Sequence, residues 1–218
     1  TRILHRHGLI ALSETGPHAW QRFEHPVPNA LWQADFKGHF DTLQGRCLPL
    51  TVLDDHSRYS VVLQACSNSR TDTVQTHLTA AFRRYGLPAR MNFDNGTPWG
   101  SPALPGQITE LGVWLVRLGI RLSHSRPYHP QTNGKEERFH RSLKAEVLNG
   151  RSFDHLAQAQ SAFDRWRRIY NYERPHEALQ SRARASRPFV HLVSKHGPIF
   201  ASRTEAWTPP EALAFGAR

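Results

Sequence analysis

The sequence predicts an α/β domain: a mixed five-stranded sheet, made of an antiparallel three-strand meander plus two parallel strands, flanked by helices. Three observations carry that expectation. Strand-like runs between Leu31 and Ala65 are separated only by short polar turns, helical and strand-like runs then alternate from Thr71 to Ser123, and two long amphipathic runs follow between Thr132 and Asn171. Hairpin-linked strands followed by alternating elements are expected to pack as a mixed sheet with helices laid on it.

In order, Leu31–Gly38, Cys47–Leu53 and Arg58–Ala65 are rich in β-branched and aromatic residues and form the predicted meander. Thr71–Tyr85 carries Val74, Leu78, Ala81 and Phe82 at helical spacing and stops at Gly86 and Pro88. Ala89–Phe93 is a short strand ending in Asp94-Asn95-Gly96, and Thr97–Gly106, rich in Pro and Gly, is a loop. Ile108–Leu118 is predicted helical, Ile120–Ser123 a brief strand, and Arg126–Gln131 a loop bounded by prolines. The last two helices span Thr132–Leu148 and Phe153–Asn171, the second with Leu156, Ala159, Phe163, Trp166 and Tyr170 along one face. We expect an arm or linker over residues 1–28, a folded core over 29–178 and an extension or tail over 179–218. The chain begins at Thr1 rather than Met, which suggests a fragment or a processed protein and leaves open whether an N-terminal module precedes it.

Composition narrows the function. At 218 residues, 39% hydrophobic and 21% charged, the chain has ordinary globular composition, and no run approaches the ~18 apolar residues of a spanning helix. Its 28 Lys and Arg against 18 Asp and Glu leave a net charge of +10, which favours a polyanionic partner. Only Lys37, Lys135, Lys144 and Lys195 are lysines; the other cations are arginines, whose planar fork grips phosphate oxygens in pairs. An Arg-rich proteome would produce the same bias. Two cysteines, Cys47 and Cys66, and no secretory signal predict a reduced, cytoplasmic protein.

In a chain so short of acids, carboxylate positions carry weight. Asp35 lies within a strand, where aspartate is disfavoured unless its charge is compensated. Asp94 ends a strand, at the edge where α/β sheets place their chemistry. Glu137 sits early in a helix. Taken singly, Asp35 could pair with an arginine, Asp94 could cap the Asn95-Gly96 turn, and Glu137 could be solvated. Taken together they are the oxygen ligands Mg²⁺ prefers, and two such ions ~3.5–4 Å apart can drive an in-line phosphoryl displacement. At about 100° per residue, Arg141 and Lys144 share the face of Glu137, while Phe139, Leu143 and Val147 lie on another side. The helix can thus bury one stripe and aim a carboxylate and two cations at one DNA backbone.

Four segments together carry a resemblance: Trp32-Gln33-Ala34-Asp35-Phe36-Lys37-Gly38, the Leu53–Tyr59 turn, Asp94-Asn95-Gly96, and Arg126–His140 with its Gly134-Lys135-Glu136-Glu137 core. They resemble the catalytic core of DDE transposases, especially insertion-sequence transposases of the IS481 and IS3 type, which are relatives of retroviral integrases. The likeness runs from about Leu4 to Leu179 and includes Tyr170–His176. It implies an RNase H-like fold, two Mg²⁺ or Mn²⁺ ions per site, and DNA cleavage followed by strand transfer. Asp35 would contact both ions and Asp94 and Glu137 one each; Glu136 is the neighbour, but the Gly-x-x-Glu spacing selects Glu137. The resemblance also implies a homo-oligomer on double-stranded DNA, in the bacterial cytoplasm at the nucleoid. The 43-position gap from Asp94 to Glu137 is longer than in many relatives, and Ser181–Arg218 does not follow the family tail.

Candidate DNA contacts are Asn95, Gln131, Lys135, Arg138, Arg141 and Lys144. Asp54 and Asp55 are expected to build a turn. His124, His129 and His140 are expected at the surface, with a DNA-contacting or general-acid role for one as the alternative. Trp99 could stack on an unpaired base or plug its own loop. A catalytically silent DNA-binding remnant and an RNase H-like nuclease remain the alternative functions.

Overall fold

The computed structural model describes residues 25–100, 106–125, 134–176 and 182–183. Strand β1 (Trp32–Phe36) lies in the middle of a mixed sheet. It pairs antiparallel with β3 (Gly45–Asp54), Trp32 opposite Asp54 and Asp35 opposite Thr51, and parallel with β5 (Arg90–Phe93), Trp32 opposite Met91. Strand β4 (Ser60–Cys66) covers the far edge of β3, and β6 (Arg121–His124) runs parallel to β5. The predicted meander and parallel pair are therefore present, giving the order β4-β3-β1-β5-β6.

A sixth strand is the difference. The expected run Leu31–Gly38 breaks at Gly38, which adopts φ 80, a conformation open mainly to glycine. The chain resumes as β2 (Phe40–Thr42), which turns through Leu43 and Gln44 to pair with the start of β3. The hairpin tip is anchored outside the sheet, Leu43 N donating to Phe153 O and Gln44 N to Asp154 O, both at 3.0 Å.

Strand alternation splits the interior in two. Trp32, Ala34, Leu50, Val52 and Met91 face helices α1 (Thr71–Tyr85) and α2 (Glu110–Arg117), meeting Val74, Leu78, Phe82, Leu111 and Leu115. Leu53, Leu63 and Ala65 face the other way, onto Phe139, Leu143 and Val147 of α3 (Gly134–Leu143) and its following turn, and onto Ala159, Phe163 and Trp166 of α4 (Leu156–Arg168). Both predicted C-terminal helices end differently from expectation, in wider π-type turns, Lys144–Leu148 and Ile169–Glu173. The wider turn lets consecutive residues Tyr170 and Asn171 both point inward; the Asn171 amide then accepts from Ser60 N at 2.8 Å and donates to Ser60 O at 3.1 Å. Part of the expected tail is paired: β8 (Arg182–Ala183) lies antiparallel to β7 (Pro175–His176).

Candidate active site

Because β1 and β5 are parallel, Asp35 and Asp94 emerge at the same end of the sheet. Asp35 shares the α3 face of β1, with its side chain 26% exposed. Its carboxyl is pushed up from 3.8 to about 7, by burial first and by the charge of Asp94 second. The donor on the other side of the balance is the backbone N–H of Phe36. Asp94 follows β5 directly, and its Oδ1 accepts from Gly96 N at 3.0 Å. A Cβ on Gly96 would lie 3.1 Å from Asp94 Oδ2, and one on Gly100 only 2.7 Å from Asn95 O, so the glycines let this loop close tightly beside the carboxylate. Asn95 itself is exposed and donates from Nδ2 to Ser125 O at 3.1 Å, which ties the loop to the end of β6.

Trp99 is buried. It stacks on Phe93 with ring centroids 4.6 Å apart, and His124 Nε2 lies 3.2 Å from its carbonyl. Its indole therefore plugs the loop and is not presented for base stacking.

Helix α3 brings a second group to Asp35. Phe139, Leu143 and Val147 are buried as expected, and Glu137, Arg138, Arg141 and Lys144 are exposed. Glu136 falls in the buried stripe, 2% exposed, and its Oε2 meets the Thr51 hydroxyl at 3.2 Å while Oε1 has no hydrogen-bond partner. Burial, and then the charge of Asp35, raise its carboxyl well above the usual range. His140, one turn on, places Nε2 2.8 Å from Thr51 Oγ1 and 3.5 Å from Glu136 Oε2, and Nδ1 4.0 Å from Asp35 Oδ2. Burial and the nearby Lys37 push this imidazole down to about 4, so it is neutral at pH 7 and compensates nothing. The expectation of a surface histidine at 140 is corrected by this packing.

The structure thus brings Asp35 and Asp94 together and sets Glu136 and His140 against Asp35. Glu137 stands on the outer side of α3 and makes no hydrogen bond or ion pair with the described residues. Among those residues no three His, Cys, Asp or Glu side chains group closely enough to hold a metal ion. Two carboxylates nevertheless suit Mg²⁺, which keeps most of its waters, and the mutual repulsion of Asp35 and Asp94 is what a divalent cation relieves.

The cations divide. Lys37, two residues beyond Asp35, lies near Lys144, and burial followed by that like charge lowers its pKa. Lys135, expected on phosphate, is turned inward instead, its Nζ bonded to Asp55 Oδ1 with the two side chains 17% and 0% exposed. A buried carboxylate holds the ammonium more firmly than solvent does, so that expectation is corrected. Gln131 and His129 lie outside the described residues. Thr51 and Lys37 are site residues that sequence reasoning missed, and Glu136 and His140 hold buried places that it did not assign to them. Strand alternation from Asp35 points to Lys37, and a spacing of three before Phe139 and before Leu143 points to Glu136 and His140.

Comparison with known proteins agrees with the fold. Two family models described as integrase core domain match, one over residues 25–130 and one over 118–183. A 31.7 kDa protein of insertion element IS407 from Burkholderia multivorans is 30% identical over 174 residues, 79% of this chain and 60% of that protein. A 39.2 kDa protein of insertion element IS476 from Xanthomonas euvesicatoria is 33% identical over 154 residues, 70% of this chain and 42% of that protein. The chain therefore spans roughly half the length of these curated relatives. Among solved structures, the simian T-cell lymphotropic virus intasome superposes at TM-score 0.59 with 19% identity, over 90% of this chain and 62% of that one. The HTLV-2 integrase catalytic core, solved in complex with magnesium, superposes at 0.56 with 15% identity, over 75% of this chain and 99% of that one. These likenesses establish the RNase H-like fold, and with the matched models they show that the chain belongs to the integrase core domain family.

Proposed function

We propose that the chain is the catalytic core of a metal-dependent DNA transposase or integrase, which hydrolyses phosphodiester bonds at element ends and transfers the freed 3′-hydroxyl into target DNA. The observation that carries this reading is the pair Asp35 and Asp94: two carboxylates at the ends of adjacent parallel strands, the charge of Asp94 raising the Asp35 carboxyl, with no Lys or Arg among the described residues ion-paired to either. Asp35, Asp94 and Glu137 are the residues that would hold Mg²⁺ or Mn²⁺, two ions per site. When bound, the ions supply Lewis-acid polarisation of the scissile phosphate and activation of the attacking oxygen.

The chain's own residues do the rest. Arg138, Arg141 and Lys144, exposed along α3 and at the start of the turn that follows it, hold backbone phosphates and so set the register of the duplex. Asn95, fixed by Ser125, sits beside Asp94 where an amide can touch the reacting nucleotide. Gln131, which precedes α3 in the sequence, is a further candidate DNA contact. The partner is double-stranded DNA, element ends and target alike, engaged by more than one copy of the chain at the nucleoid. No helix among the described residues is long and apolar enough to cross a membrane.

The test is incubation with labelled candidate element ends in Mg²⁺ or Mn²⁺. Nicked and joined products support the proposal. Nicking without joining would make the protein an RNase H-like nuclease, and DNA binding with neither product would make it a silent remnant.

A further inference from the structure

The β1–β5 ladder has two pairs, Trp32 with Met91 and Gln33 with Asn92. Asp35 and Asp94 each lie two positions beyond the last pair, so no backbone pairing between the two strands sets the distance between these carboxylates. Alternation turns their neighbours to the opposite face. Phe36, which follows Asp35, and Phe93, which precedes Asp94, both pack into the core beneath α1 and α2.

Trp99 joins those two rings. Its indole stacks on Phe93, with centroids 4.6 Å apart and planes 14° from parallel, and meets Phe36 with centroids 5.9 Å apart. Both spacings fall in the range of attractive aromatic pairs. The same residue braces the loop that carries Asp94: Trp99 N donates to Gly96 O at 2.9 Å, and Gly96 N donates to Asp94 Oδ1 at 3.0 Å. A ring that only plugged the loop would need Phe93 alone. Contact with Phe36 as well spans the gap where the ladder has stopped.

We propose that Trp99 is a positioning residue: by bridging Phe36 and Phe93 and bracing Gly96, it sets the distance between Asp35 and Asp94 and the direction of the Asp94 carboxylate. The inference rests on the reading of these two acids as metal-holding groups. Residues behind a ligand orient it, and their loss typically costs about 10–100-fold in metal affinity or activity.

The test uses Trp99→Leu, Trp99→Phe and Trp114→Leu in the full chain. Trp114 packs on the same core but stacks on Phe82, which in turn stacks on Trp32 at the start of β1, so W114L reports the effect of loosening the core alone. The readouts are thermal stability, Mn²⁺ affinity by titration calorimetry and hydrogen exchange of the Gly96 amide. W99L is expected to bind Mn²⁺ about tenfold more weakly and to exchange faster at Gly96, while W114L loses stability and keeps both at the parental level. W99F retains a ring to lie on Phe93 and Phe36 and restores most of both. In metal-dependent nicking, the kcat of W99L falls by about 10–100-fold while KM for DNA stays within about twofold. W99L with parental Mn²⁺ affinity overturns the proposal, as does W114L falling as far as W99L, which would make the effect one of general loosening. Should W99L fail to fold, Phe36→Leu against Phe36→Tyr decides: weaker Mn²⁺ binding in the first with recovery in the second supports the bridge, and parental affinity in F36L overturns it. If the parent protein binds no Mn²⁺, the metal-holding reading fails, and Gly96 exchange in W99L against W114L still decides whether Trp99 braces the Asp94 loop.

Discussion

The molecule buries acids in two places and treats them in opposite ways. At the β3–β4 turn, Asp54 and Asp55 are 0% and 1% exposed, and each is surrounded by donors. Asp54 accepts from Asn29 N, Ser57 N and Ser57 Oγ at 2.9, 2.8 and 2.6 Å; Asp55 accepts from Gln33 Nε2, His25 N and the Lys135 ammonium. Burial still lifts the Asp54 carboxyl, but the Ser57 and Asn29 donors pull it back. At the sheet end, Asp35 lies among Asp94, neutral His140 and the buried Glu136 carboxyl, whose Oε1 has no partner among the described residues. Burial alone therefore does not mark a functional acid here. The distinction is whether the fold answers the charge, since a buried carboxylate left uncompensated destabilises the chain unless something external completes it.

Substitutions should separate the two regions sharply. Asp35→Asn is expected to lower metal-dependent nicking by about 10³-fold, roughly 4 kcal/mol in the barrier, measured by single-turnover cleavage of labelled ends. An effect under tenfold would place the chemistry elsewhere. Asp55→Asn acts on stability instead. It strands the Lys135 ammonium in a largely buried position and should cost about 3 kcal/mol in urea unfolding, a loss that D35N does not share.

The pH dependence of D35N sharpens the contrast further. With the Asp35 carboxyl raised from 3.8 to about 7, the folded chain retains a proton that the unfolded chain has already released between those values, so stability falls as pH rises through that window. D35N lacks this cost. In chelator-treated buffer it should match the parent near pH 4 and exceed it by about 4 kcal/mol at pH 8, and a difference that does not change with pH would refute the assignment. Metal binding should strengthen through the same window, because the ion displaces that proton.

The smallest effect tests the cations. Arg141→Ala and Lys144→Ala should each weaken DNA binding by about 1 kcal/mol and lower the salt slope by about one, while leaving thermal stability intact. Lys135→Ala should do the reverse, losing stability with an unchanged salt slope.

Much of this was legible in the residues. Alternation in Trp32-Gln33-Ala34-Asp35 placed a carboxylate on one face of a strand, the Asp94-Asn95-Gly96 turn placed another at a strand end, and the stripe Phe139, Leu143, Val147 set the inward face of α3. The same stripe contained the sign that Glu136 is buried and Glu137 exposed, three and two positions before Phe139. The Gly-x-x-Glu spacing speaks only to Glu137 and says nothing about its neighbour. Gly38 likewise held the break between β1 and β2, hidden because strand patterning does not report backbone handedness.

Local pattern, which depends on residues a few positions apart, determined the strands, the helix faces, the basic surface and the acids worth watching. Tertiary structure alone decided which of those charges are answered. Lys135 meets Asp55 across 80 positions and Thr51 meets Glu136 across 85. Compensation of a buried charge depends on atoms brought within hydrogen-bond reach, and periodicity cannot supply that pairing.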